Sequence, residues 1–188
     1  SEESFVTTKY GEGDLEGEIR SKSFGYLLLA LLGTLSTSGP TDSSYSHAFS
    51  ISQANNHQSL SLVVHDPNTT ELYKLVMLNS LEITAELDQV VMFTAGFMSK
   101  CARDTGLTVP DPVHESKFTK KRINVKLADD IAGLAGASVI SLKSLTLTIE
   151  KNVTLDDVLG TAEPEDILNQ QLSVEGELTI NYEAETFK

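Results

Sequence analysis

The chain has no tryptophan, a single cysteine and few aromatics, 6% of its 188 residues. Cys101 alone excludes an intramolecular disulfide framework and an all-cysteine zinc site. The poverty in rings argues against a sugar-binding platform, which needs exposed aromatics. Cations are scarce as well: 14 Lys and Arg against 27 Asp and Glu give a formal net charge of −13. Binding nucleic acid rests on neutralising phosphates, and adhesion to anionic lipid on polybasic segments, so neither role suits this chain. Long apolar runs are also missing. The longest, Tyr26 to Leu32, falls well below the roughly 20 residues that cross a bilayer. It is not read as a secretory signal either, because acidic, strand-like sequence precedes it. Without such a signal, the acceptor patterns at Asn68-Thr-Thr and Asn152-Val-Thr are read as chance.

What remains is an acidic chain whose hydrophobic fraction of 40% supports a real core. Its length suits one domain covering residues 1–188, and no linker divides it. One segment has helical spacing: Phe24, Leu27, Leu28, Leu31 and Leu32, with Ser21 or Ser23 as cap and Gly33 as stop. Tyr26 and Leu29 make it apolar nearly all round, so it must be covered by a sheet or by a neighbouring chain.

Most of the rest alternates with period two. The runs are Tyr45 to Ile51, Leu60 to Val64, Leu81 to Leu87, Val91 to Phe97, Ile123 to Leu127, Leu145 to Ile149 and Leu172 to Tyr182. Strict alternation predicts half-buried antiparallel strands. The fold class is therefore mainly β, an antiparallel sandwich or barrel with one packed α-helix. Ser80–Glu86 and Ser144–Glu150 echo each other, each followed by a further strand, as two hairpins of one sheet system would be. Residues 34–46, 103–116 and 154–169 read as long loops, and Gly11 to Gly17 as a turn between extended segments.

No convergent catalytic set is visible, so no enzyme and no cofactor are expected. The glycines at 11, 13 and 17 lack the spacing of a phosphate loop, and the acids between them repel phosphate. His47, His57, His65 and His114 form no metal-ligand pair, and His65-Asp66-Pro67 reads as a turn opening at Asp-Pro. Cys101 reads as a structural thiol. Glu175 and Glu177 lie on a polar strand face, where a solvated surface outweighs a glycosidase pair. Lys117, Lys120, Lys121, Arg122 and Lys126 place 5 of the 14 basic residues within ten positions. Only Phe118 interrupts them as an aromatic, which is poor for a nucleic-acid patch. An ion-pairing surface between subunits is favoured over an edge strand guarded by charge, because residues 150–188 carry ten acids against two bases.

Several pieces follow in order along the chain: Leu15-Glu-Gly-Glu-Ile19, the run from Phe24 to Gly33, Tyr45-Ser-His-Ala-Phe49, the strand 59–66, Asn79 to Thr84, Ser144 to Val153, and Val174-Glu-Gly-Glu-Leu-Thr-Ile180. Together they resemble the tail tube (major tail) proteins of long-tailed bacteriophages. Each is ordinary β patterning; their order and spacing carry the resemblance over most of the chain.

The resemblance implies a structural virion protein, not an enzyme. It implies homohexameric rings stacked into a hollow tube, contact with tail completion and tail tip proteins, and transient passage of viral DNA without specific binding. It places the protein in the virion tail, in the host cytoplasm during assembly, and at no membrane. The chain opens on Ser-Glu-Glu, and relatives often carry more sequence before the first strand, so an N-terminal segment is expected to be missing here. On that reading Glu82, Glu86, Glu175, Glu177 and Glu183 are candidates for an acidic channel lining. The basic residues from Lys117 to Lys126 are candidates for a contact between subunits, and residues 103–116 for reaching a neighbouring ring. The competing expectation is a monomeric β-sandwich module that binds carbohydrate or a cell-surface protein.

Overall fold

The structure is a computed structural model and describes residues 6–42, 44–52 and 58–181. Eleven strands and one α-helix follow one another: β1 Gly11–Glu18, α1 Phe24–Leu32, β2 Gly33–Thr41, β3 Ser44–Ile51, β4 Leu60–His65, β5 Thr70–Glu86, β6 Met92–Ser99, β7 Arg103–Asp104, β8 Leu142–Glu150, β9 Thr154–Asp156, β10 Asp166–Leu168 and β11 Ser173–Ile180. The main sheet runs β1-β6-β5-β8-β11, antiparallel throughout. The first half of the long strand β5 pairs instead with β4 and β7. Leu75, a non-glycine residue at φ 53°, marks the change of partners, as an irregular, bulge-like step in a strand does. The fold is mainly β and sandwich-like, and the sheets do not close into a barrel within one chain.

The two echoing segments lie side by side, Ser80 opposite Glu150 and Glu86 opposite Ser144, so the repeat is the seam of the sheet. Across that seam the apolar residues align: Leu15, Ala95, Leu81, Ile149 and Val174 form one row through all five strands. Helix α1 lies over the middle of this face. Ala30 and Leu31 pack with Leu78, Leu81 and Ala95, all buried. Smaller clusters close the two ends, Ile19, Ala85 and Val91 at one and Met77, Val153 and Ile167 at the other.

Both ends of α1 are held by residues distant in sequence. Gly33 stops the helix in the left-handed region at φ 91°, as expected. Ser23 sits at the N-cap without a side-chain capping bond. The cap is instead Glu115, whose Oε2 accepts from the N–H groups of Lys22 and Ser23, both 2.9 Å, and from Ser23 Oγ. At the other end the buried Lys151 donates from Nζ to the Ala30 carbonyl at 2.9 Å, one of the helix's otherwise orphaned acceptors. Desolvation pulls the Lys151 pKa below the ordinary lysine range.

Four expectations are corrected. Residues 34–46 are not a loop: most of them belong to the hairpin β2–β3, paired from Gly33 opposite Ile51 to Thr41 opposite Ser44. Residues 154–169 contain the small β9–β10 ladder. The stretch Gly11 to Gly17 is no turn but strand β1, whose glycines clear space for rings on β6. A Cβ on Gly13 would lie 3.4 Å from the Phe97 ring, and one on Gly17 would lie 3.1 Å from that of Phe93. Ile123 to Leu127 is not a strand; only Lys126 bridges to Val139, and Ile123 packs on the end cluster. The turn at Asp66 is as expected, its carboxylate accepting from the Asn68 and Thr69 N–H groups.

Candidate functional site

The face of the main sheet opposite α1 is polar, and its register lines up the acids. Glu16, Thr94, Glu82, Thr148 and Glu175 form one row across five strands. Glu18, Met92, Thr84, Thr146 and Glu177 form the next. Asp14 and Glu150 flank the first row on its other side, and Glu86, Ser144 and Thr179 complete the field. Four of the five acids singled out from sequence therefore share one surface: Glu82, Glu86, Glu175 and Glu177. Glu183 lies outside the described residues. Alternation alone missed Asp14, Glu16 and Glu18, because β1 reads as a turn until its register with β6 is known.

Among the described residues only one acid of these rows has cationic partners. Glu18 is bound by Lys117 at 2.8 Å and Arg20 at 3.1 Å, and the Lys117 hydrogen bond chiefly holds its pKa below the ordinary carboxylate value. Glu82, Glu86 and Glu150 accept only from neutral side chains, Thr84 at 3.4 Å, Gln89 at 3.1 Å and Ser173 at 3.3 Å. A face this rich in unpaired carboxylates repels polyanions and holds a diffuse layer of counterions.

The borders of the sheet are unfinished. β1 pairs only with β6 and β11 only with β8, so each presents a free ladder edge among the described residues. Along β11 the apolar face is uncovered too: Val174 is 58% exposed and Leu178 is 38% exposed. The strands of the hairpin β2–β3 are also exposed over almost their whole length and carry no Asp, Glu, Lys or Arg; its one charged residue, Asp42, lies in the turn. One of its faces is small and polar; the other bears Leu35, Tyr45, Phe49 and Ile51, with Phe49 reaching back toward Gly25 of α1. A two-stranded hairpin is marginal in water unless something covers its apolar side.

The basic segment lies at the end of the sheet near the β5–β6 turn, where Arg20 bridges to Lys117 and Val90 to Thr119. It is not an edge strand. Lys120, Lys121 and Arg122 form a single 3-10 turn. Lys117 binds Glu18, Lys120 reaches Asp88 at 3.4 Å, and Lys126 donates to the Ala135 carbonyl at 3.1 Å. Lys121 and Arg122 are exposed and have no ion-pair partner among the described residues. Residues 105–116 have no regular structure, and Glu115 ties their end to α1. Cys101 is half-buried. Among the described residues no group of His, Cys, Asp or Glu is arranged to hold a metal ion, and no helix is long and apolar enough to cross a membrane.

The family model described as phage tail tube protein matches residues 2–188. The chain therefore belongs to that family: it is a structural protein of a phage tail, built to assemble with other tail components. No curated protein matches the sequence significantly.

Proposed function

We propose that this tail tube protein closes head to tail into homohexameric rings, that the rings stack into a hollow tube, and that viral DNA leaves through it. The observation that carries the reading is a five-stranded sheet with two free edges and one continuous acidic face. A heterologous contact between β1 of one copy and β11 of the next removes both edges, and rotation closes the ring. Strand addition places the acidic rows of neighbouring copies side by side. Glu82, Glu86, Glu175 and Glu177, with Asp14 and Glu16, then line the channel. DNA carries about one charge per 1.7 Å of axis, so a basic wall would hold it by counterion release. An acidic wall lets it slide on a layer of water and ions. Helix α1 takes the outer side, and the hairpin β2–β3, whose strands are uncharged, covers Val174 and Leu178 of the adjacent copy. The loop at residues 105–116 projects toward a neighbouring ring. Assembly takes place in the host cytoplasm, and tail completion and tail tip proteins cap the ends of the tube.

These features fit a self-assembling subunit better than a monomeric carbohydrate or cell-surface binding module, which has no use for two unpaired edges. The test pairs electron microscopy of the purified chain with ejection from phage carrying Glu82→Lys and Glu175→Lys. Rings or tubes are expected from both proteins, with slowed genome ejection from the variant. Dispersed particles at every concentration sink the assembly; ejection at the native rate sinks the acidic lining.

A further inference from the structure

Resting on the ring reading, we propose that successive rings stack through an axial contact with a second copy of this chain. In it, Leu159 of one copy seats in the groove between residues 87–90 and 119–121 of a copy in the next ring, with Asp157 and Glu165 facing Lys121 and Arg122. A sheet closed edge to edge runs its strands along the tube axis with a tilt, so the strand ends become the stacking faces. The two ends of this sheet are chemically opposite. Ala85, at one, and Met77, at the other, stand roughly 25 Å apart along β5 at the usual rise per residue.

At the Met77 end lies the β9–β10 ladder, anchored by buried Val153 and Ile167. Its connection holds Leu159 entirely exposed, beside Gly160 in the left-handed region at φ 97°. Seating this leucine in a second surface would remove its apolar area from water, which is favourable. Asp157 and Glu165 close the same ladder, and both are exposed without an ion-pair partner among the described residues. Lys9 and Lys100 lie beside Glu165, and Arg103 is already bound to Glu163 at 3.1 Å.

At the Ala85 end an open groove is lined by Leu87 and Val90 together with Asp88, Gln89, Thr119, Lys120 and Lys121. Its one carboxylate, Asp88, is occupied by Lys120. That leaves the charges of Lys121 and Arg122 on the rim. A fully exposed leucine flanked by free acids thus has its counterpart, an open groove that offers Leu87 and Val90 and is flanked by free cations, at the opposite pole of the same molecule. Such a pairing joins unlike ends, which gives a stack its polarity and lets it grow without limit.

The test uses two charge-reversed chains. Lys121→Glu with Arg122→Glu makes both poles acidic; Asp157→Lys with Glu165→Lys makes both poles basic. Each alone is expected to form rings and about tenfold fewer tubes than the native chain in electron micrographs. Mixed preformed rings of the two are expected to recover tubes, since each supplies the pole that the other has lost. Leu159→Ser, on a side chain with no internal contacts to lose, is expected to leave rings intact and stacking impaired. Native tube yield from either reversed chain, or no recovery on mixing, overturns the axial contact while the rings stand. No rings from the native chain overturns the ring reading itself.

Discussion

The middle of the main sheet and its borders are built from the same alternating sequence but finished differently. On β5, β6 and β8 the apolar face is sealed by α1, and Leu81 and Ala95 are almost wholly buried. On β11 the same rows end in Val174 and Leu178, which lie open, and the ladder beyond them has no partner among the described residues. Leu81 and Val174 even share a row. A monomer's core needs only the central strands. On the ring reading proposed above, the outer residues carry patterning of equal quality because their burial comes later, from a second copy. The difference separates what folds the chain from what assembles it.

The largest effect is expected where the seal is complete. Leu81→Ala removes a buried side chain between Leu31, Leu78 and Ala95 and leaves a cavity that the sheet cannot collapse around. It is expected to cost about 3 kcal/mol of monomer stability, read from denaturant unfolding, with assembly lost as a consequence. A loss below about 1 kcal/mol would mean that the centre is as loosely finished as the borders.

A smaller effect belongs to the fastening of the helix over that centre. Backbone hydrogen bonds from Ser23 and Lys22 hold the Glu115 pKa below its ordinary value of 4.5. The folded state thus favours the carboxylate. Its contribution is fully present above the unfolded value and disappears as pH falls through the lower folded one. Glu115→Gln is expected to melt below the native protein at neutral pH, with the gap closing on acidification below pH 4.5. A gap independent of pH would assign the cap to shape and not to charge.

These same regions explain what the sequence could disclose. Period-two alternation was legible wherever one face of a strand is buried, as in β5, β6 and β8, and the helix announced itself by its spacing and Gly33. The cap was not legible, because Glu115 lies ninety-two residues from Ser23 and nothing local marks it. β1 was hidden because its glycines answer Phe93 and Phe97 on another strand, a pairing that only register reveals. Ile123 to Leu127 alternates because Ile123 packs on the end of the sheet, and burial of one side imposes the period without a ladder. Strand β2 looked like a loop because small residues with Gly39 and Pro40 fill most of it, although its partner β3 was legible in the alternation from Tyr45 to Ile51. Of the candidate surface, the acids on β5 and β11 could be picked out from alternation, but their common face required the register of all five strands.

The smallest effect on the monomer, and the one that best separates borders from centre, is expected at Val174. Its side chain stands on the same apolar row as Leu81 but is 58% exposed, so the folded monomer has little packing to lose there. Val174→Lys is expected to change unfolding free energy by less than about 0.5 kcal/mol, the usual range for surface substitutions. In the proposed ring the lysine would have to be buried under the strands of the neighbouring hairpin, which carry no acid to pair with it, the hairpin's one acid being Asp42 in the turn. Native melting together with loss of rings in electron micrographs is therefore the expected result. Rings of native yield would place the inter-subunit seam elsewhere, and a destabilised monomer would show that β11 is already finished by its own chain.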